Sequence, residues 1–161
     1  MIENHNDFSN SCIIGLQPRG VYLSDRIVER LSDLLGKDDI MYGMLDPTFH
    51  RDDFRRGEKP LVPSKTEIKF PIEGKRVILV DDVFYTGRTV RSGMDALLDF
   101  GRPESIELLV LIDRRLSRHV PISPDYTGKV VDSVTYEKVR VEWNQNGGKD
   151  EVWIVPFKVV E

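Results

Sequence analysis

The strongest constraint in the sequence is the uninterrupted apolar stretch Val77–Val80, entered from Arg76 and left through Asp81. No polar residue alternates with it, so a strand here hides both faces, as an interior strand of a parallel sheet does. A second such run, IELLVLID, occupies 106–113. Between the two, Val90, Met94, Leu97 and Leu98 recur at helical spacing, and Gly101 supplies a stop. Strand, helix and strand in this order make a right-handed βαβ unit. Upstream, CIIGL (12–16) and IMYGML (40–45) read as two further strands. The helix between them carries Leu23, Ile27, Leu31 and Leu34 and ends at Gly36. Pro47 to Thr66 shows no apolar period, and a stretch of about 20 patternless residues inside a compact domain is usually functional or mobile. Downstream, PISPDYTGK (121–129) is turn-rich, whereas KVRVEW (138–143) and EVWIVPF (151–157) flank NQNGG as the arms of a hairpin. The chain has 161 residues, 40% of them hydrophobic. That is enough for one core, so residues 1–161 are expected to form a single domain.

Several function classes drop out at this point. No apolar run reaches the ~18 residues needed to span a membrane. The start, MIENHNDFSN, lacks the basic and apolar regions of a signal peptide, and a cytoplasmic protein is the expectation. The single cysteine, Cys12, forms no internal disulfide framework and is expected in the core. His5, His50 and His119 have no metal-ligand spacing. Trp143 and Trp153 fall on the hairpin, where packing or a subunit contact is expected of them. A net charge of -4 and a pI near 5.5 argue against a general nucleic-acid binder, although they leave room for a local basic patch.

The chemistry concentrates where the Val77–Val80 strand ends. Asp81 and Asp82 stand side by side there, and Thr86-Gly87-Arg88-Thr89 leads into the next helix. In an open parallel sheet, ligands sit beyond the carboxyl ends of the strands. A helix N-terminus with unpaired amides suits an anion, Gly87 permits close backbone approach, and Thr86 and Thr89 add hydroxyl donors. Hydrogen bonds to a charged group contribute roughly 1.5–3 kcal/mol each, so four or five would hold one phosphate. The spacing is not that of a Walker A loop. Two carboxylates cannot bind that same phosphate. They can accept from a diol or act through a divalent cation. A ribose 5-phosphate carries both features. The plainer alternative is that Asp81 and Asp82 cap a helix and Gly87 only turns the chain. One carboxylate would suffice for that.

VILVDDVFYTGRT resembles the phosphoribosyl pyrophosphate (PRPP) signature of type I phosphoribosyltransferases. With IIGLQPRGVYL, GMLDPTFHRDDF, LVLIDR and PISPDYTGK, nearly the whole chain resembles the PyrR family, whose members are pyrimidine operon attenuation regulators with uracil phosphoribosyltransferase activity. The resemblance implies the type I phosphoribosyltransferase fold, a central mainly parallel sheet flanked by helices with a C-terminal β-rich hood. It implies transfer of ribosyl 5-phosphate from PRPP to uracil, giving UMP and pyrophosphate, with Mg²⁺. By motif, Asp81 and Asp82 would hold the ribose hydroxyls and any metal, mainly through PRPP and water. Val83, Phe84, Tyr85, Thr86, Gly87, Arg88 and Thr89 would form the nucleotide loop, and Pro18, Arg19 and Gly20 the pyrophosphate loop. Arg19 and Arg51 join the two aspartates as catalytic residues. His50, Arg55 and Arg56 are further cations for a closing loop, with a solvated basic loop the alternative for Arg55, Arg56 and Lys59. Phe84 or Tyr85 borders the base or simply packs. A homodimer or homotetramer is also implied.

Two departures from the family pattern bear on RNA. The residues IENHNDFSNS resemble the end of a helix that members carry before the first strand, so a truncated N-terminal helix is expected. After Asp113 the usual R-G-H-R-E-L-P-I-R is replaced by RRLSRHVPIS, which keeps Arg118 and, further on, Lys129 as possible RNA contacts. Fewer cations mean weaker binding to an mRNA leader. Two other functions stay open: a nucleotide-sensing RNA regulator with little catalysis, and a phosphoribosyltransferase for a purine base.

Overall fold

Val77, Ile78, Leu79 and Val80 are completely buried, and the strand they belong to lies at the centre of a five-stranded sheet. The computed structural model describes residues 1–53, 62–134, 137–144 and 148–156. After a short helix, α1 (Ile2–His5), come β1 (Ser11–Leu16), α2 (Gly20–Leu35) and β2 (Met41–Leu45). β3 (Arg76–Phe84), α3 (Arg88–Leu97), β4 (Ser105–Arg114) and β5 (Tyr126–Val131) follow. β6 (Glu137–Glu142) and β7 (Glu151–Pro156) form the separate antiparallel hairpin. The sheet order is β2-β1-β3-β4-β5, and every neighbouring pair is parallel.

The period-2 geometry of the strands divides the core into two layers. Ile13, Ile78 and Val80 face α2, where Leu23, Ile27, Val28, Leu31 and Leu35 meet them. Cys12, Ile14, Leu16, Val77 and Leu79 face the other way, against Val90, Met94, Ala96 and Leu97 of α3. Cys12 lies in the core as expected, and burial pushes its thiol up to about 12, so it stays protonated and inert. Two stripe positions are corrected. Leu34 is 56% exposed, because the buried row advances in steps of four from Ile27 to Leu31 and Leu35 and leaves Leu34 on the flank. Leu98 is 57% exposed, because α3 ends at Leu97 and Leu98 opens a 3₁₀ turn.

The turn-rich reading of 121–129 is also corrected, since Tyr126 to Lys129 belong to β5 at the sheet edge. The hairpin forms as expected. Its β6 residues Val139 and Val141 pack on Ile112, while Val152–Val155 of β7 remain exposed. Trp143 stacks beneath the Arg26 guanidinium, 4.7 Å from its ring centre, and Trp153 is half-exposed. One network had no signal in the sequence. His5 is buried between Ser11 and Glu107, 2.8 and 2.9 Å away, and Glu107 also receives Arg76 and the Tyr126 hydroxyl. It ties the N-terminal segment to β4 and β5. No helix among the described residues is long and apolar enough to cross a membrane.

Candidate active site

The strand order fixes where a site can form. The crossover from β1 runs through α2 to β2, and that from β3 runs through α3 to β4, in opposite directions. The crevice between the carboxyl ends of β1 and β3 is therefore the topological switch point of the sheet. β1 and β3 last pair at Gly15 and Val80, while β3 runs on beside β4 to Phe84. Asp81 and Asp82 thus belong to β3 itself, in the part that has outrun β1. A cavity of about 390 Å³ opens there. It is lined by Pro18 and Arg19 from the loop after β1, by Asp81, Asp82 and Val83 from β3, by Thr89 from α3, and by Arg51 from the segment after β2. Residues far apart in sequence, singled out by pattern, meet around one space.

The two carboxylates differ in environment. Both are nearly buried. Asp82 accepts from Arg19 Nε at 2.7 Å and from the Val83 amide at 2.7 Å. Among the described residues, Asp81 accepts only the Asp82 amide, at 2.9 Å. Burial, and then the neighbouring charge of Asp82, push its carboxyl up to about 8 against the weaker pull of the Asp82 amide and Arg19. A diol or a hydrated cation placed here would supply the partners that Asp81 lacks. Among the described residues no group of three His, Cys, Asp or Glu converges on a cation. The donor set therefore fits a hard ion completed by water and ligand oxygens, as Mg²⁺ is commonly held. It does not fit a closed protein cage.

Gly20 places the start of α2 directly on β3, since a Cβ there would lie 2.3 Å from the Val80 carbonyl oxygen. Arg19 then reaches two ways, to Asp82 through Nε and to the Val141 carbonyl of β6 through Nη2. Gly87 caps α3 with φ 87°, which favours glycine, and has no side chain to satisfy the first-turn amides. The Thr86 hydroxyl is 3.4 Å from the Arg88 amide. A helix N-terminus arranged in this way is suited to an anion.

Other expected residues are placed differently. Phe84 is buried and packs in the core. Tyr85 lies under Arg114, 3.9 Å from its guanidinium carbon. With Val83, Arg114 and residues 137–139 it lines an adjoining cavity of about 320 Å³. Arg88 points out to Asp52 at 2.6 Å, and His50 turns away to Asp99 at 2.9 Å. Arg51 is held in a two-pronged pair with Asp53. Arg55, Arg56 and Lys59 lie outside the described residues. Lys129 is exposed on β5, whereas the Arg118 side chain is 19% exposed and pairs with Asp113. Asp46 was missed. Its carboxylate accepts from the Thr48 amide and hydroxyl and from the Ser64 amide, so it gathers both ends of the patternless segment. The Asp-Pro-Thr sequence, an Asx-turn pattern, was the available signal.

Comparison with known proteins agrees with this geometry. The family model described as phosphoribosyl transferase domain matches residues 1–146. Proteins named bifunctional protein PyrR are similar along nearly the whole chain. That of Deinococcus radiodurans is 43% identical over 152 residues, covering 94% of this chain and 82% of its own. That of Elusimicrobium minutum is 40% identical over 155 residues, covering 96% and 86%. Among solved structures, a hypoxanthine-guanine phosphoribosyltransferase from Bacillus anthracis superposes with a TM-score of 0.61 at 19% identity, over 81% of this chain and 74% of that one. At that identity the likeness speaks for the fold alone. A purine phosphoribosyltransferase from Pyrococcus horikoshii gives 0.55 at 26% identity, over 80% and 76%.

Proposed function

The chain belongs to the PyrR family of phosphoribosyltransferases, and from that premise we propose that it transfers ribosyl 5-phosphate from PRPP to uracil, releasing pyrophosphate and UMP. The observation that carries this reading is the cavity at the β1–β3 switch point, where the aspartate pair, Arg19, Arg51 and Thr89 share one space. The 5-phosphate sits on the α3 N-terminus and Thr86–Thr89. Asp81 and Asp82 accept from the ribose hydroxyls. Pyrophosphate lies between Arg19 and Arg51.

In the reaction the C1–oxygen bond to pyrophosphate breaks and a bond from a uracil ring nitrogen to C1 forms, with the nitrogen proton lost to solvent. Positive charge develops on the ribose and negative charge on the leaving group. The adjacent carboxylates stabilise the first, and the arginines stabilise the second. Asp81 and Asp82 would hold Mg²⁺, where it would supply further neutralisation of the pyrophosphate. Arg19 and Arg51 begin the cycle paired to Asp82 and Asp53, so binding substrate exchanges these internal partners for phosphate oxygens. Uracil occupies the adjoining cavity beside Val83 and Tyr85, read by backbone groups of that loop and of the segment after Ile112.

The family name carries a regulatory role as well, and UMP-dependent binding to an mRNA leader is part of the proposal. Exposed Lys129 supports it, whereas Arg118 is paired with Asp113. Assembly into a dimer or tetramer would cover the exposed Val152–Val155 row. The deciding experiment is pyrophosphate release from PRPP and Mg²⁺ with uracil, hypoxanthine, guanine or no base. Release with uracil alone is expected. Release with a purine alone would move the substrate, and no release with any base would refute the enzyme.

A further inference from the structure

Three consecutive residues, Arg118, His119 and Val120, lie against three consecutive residues of the loop after β3. The Arg118 guanidinium donates to the Tyr85 carbonyl at 2.5 Å. The His119 amide donates to the Thr86 carbonyl at 2.9 Å. The Val120 methyl occupies the place where a Cβ on Gly87 would stand, 2.4 Å from it. The match is residue for residue, 118 on 85, 119 on 86 and 120 on 87. Arg118 is itself fixed from two further sides. It pairs with nearly buried Asp113 at the end of β4 and its guanidinium carbon lies over the Phe84 ring, 3.6 Å from its centre. The guanidinium thus joins the sheet, a core aromatic ring and the backbone of the loop.

We propose that residues 118–120 form a strap that presets the loop Tyr85–Gly87 for the 5-phosphate, and that Arg118 is a positioning residue for PRPP. The inference rests on the reading of Thr86–Thr89 as the phosphate cradle. A loop whose amides must converge on one anion gains affinity when it is ordered before the anion arrives. The strap fixes the loop carbonyls from behind, so the amides and hydroxyls remain on the ligand side. Lysine in place of Arg118 keeps a charge for Asp113 but has neither the guanidinium over Phe84 nor the fork that serves Asp113 and Tyr85 together. Tyr85 also borders the adjoining base cavity, so the strap bears on uracil as well, but two of its three contacts fall on Thr86 and Gly87 of the cradle.

The test is steady-state kinetics of Arg118→Ala and Arg118→Lys with PRPP and uracil varied separately, beside calorimetric titration of each protein with PRPP and Mg²⁺. Ser117→Ala is the neighbouring control. We expect the KM and Kd for PRPP to rise on the order of tenfold in the alanine variant and less in the lysine variant. The KM for uracil should rise less than that for PRPP. An unchanged PRPP affinity in both variants overturns the proposal, as does a fall in kcat alone. If Arg118→Ala fails to fold, Arg118→Lys decides on the same criteria. Failure of the wild type to turn over while still binding PRPP would sink the enzymatic reading, and the calorimetric comparison would then decide the strap. Failure of the wild type to bind PRPP overturns the strap together with the cradle.

Discussion

Replacing Asp81 by Asn should stabilise the free protein while destroying its activity. The Asp81 carboxyl is pushed up to about 8 by burial and by Asp82, whereas in the unfolded chain it titrates near 3.8. Its proton is therefore bound more tightly in the folded state. Stability from this group is complete below the unfolded value and is lost as pH rises through about 8. One proton contributes a slope of at most ~1.4 kcal/mol per pH unit. Between pH 5 and pH 8 that is ~4 kcal/mol as an upper bound, and relaxation around the carboxylate leaves on the order of 2 kcal/mol. Asn keeps the acceptor for the Asp82 amide and never charges. The assay is urea unfolding of both proteins in chelator at pH 4.5, 6.5 and 8. The midpoints should nearly coincide at pH 4.5. By pH 8 the variant should lead by ~1 M, taking an m-value of about 2 kcal/mol/M. Parallel pH profiles would refute the reasoning, because they would mean that Asp81 is charged in the fold at no cost.

Other perturbations have equally definite outcomes. Asp81→Asn with Asp82→Asn should lower kcat/KM by at least about a thousandfold in the pyrophosphate-release assay, since charge stabilisation at the ribose is lost. Gly20→Ala should cost roughly 1–3 kcal/mol in thermal or urea unfolding, because its Cβ would meet the Val80 carbonyl. Glu107→Gln should destabilise at neutral pH. Although burial opposes it, the bonds from Tyr126, His5 and Arg76 hold the Glu107 carboxyl below its ordinary value, so its contribution is present above that value and disappears as pH falls below it. The difference in unfolding midpoint between the two proteins should therefore close in acid. If the chain binds an mRNA leader through Lys129, Lys129→Ala should reduce the slope of log K against log salt by about 1.

The parts of the fold that were legible in sequence are those whose cause is local. The Val77–Val80 run identifies an interior strand because only burial on both faces tolerates it. The hairpin was legible because Gly147-Gly148 separates two alternating segments. The aspartate pair and the Thr-Gly-Arg-Thr loop announce a site because their chemistry conflicts with mere packing. What escaped depends on distant partners. β5 is an edge strand with mostly exposed residues, so Tyr126–Val131 lacks the apolar run that marked β3 and β4. The direction of Arg118 is set by Asp113 and Phe84, and the burial of His5 by Glu107. Neither arrangement leaves a periodic trace. Leu34 and Leu98 look like stripe residues until the buried row and the end of α3 are seen.

The strand order also shapes how the molecule folds. β1 pairs on one side with Met41–Leu45 and on the other with Arg76–Val80, so Cys12 lies beside both Met41 and Val77. The β1–β3 pairing closes a far longer loop of chain than β3–β4 does, and long closures are slow. The β1–α2–β2 unit closes as short a loop as β3–α3–β4, since Cys12 pairs with Met41 and Val77 with Ile106. The two units should therefore form separately and dock late, completing the crevice last. Pulse-labelling hydrogen exchange during refolding should protect the amides that bond within each unit before those that bond β1 to β3. Simultaneous protection of both sets would show that the sheet forms in one step.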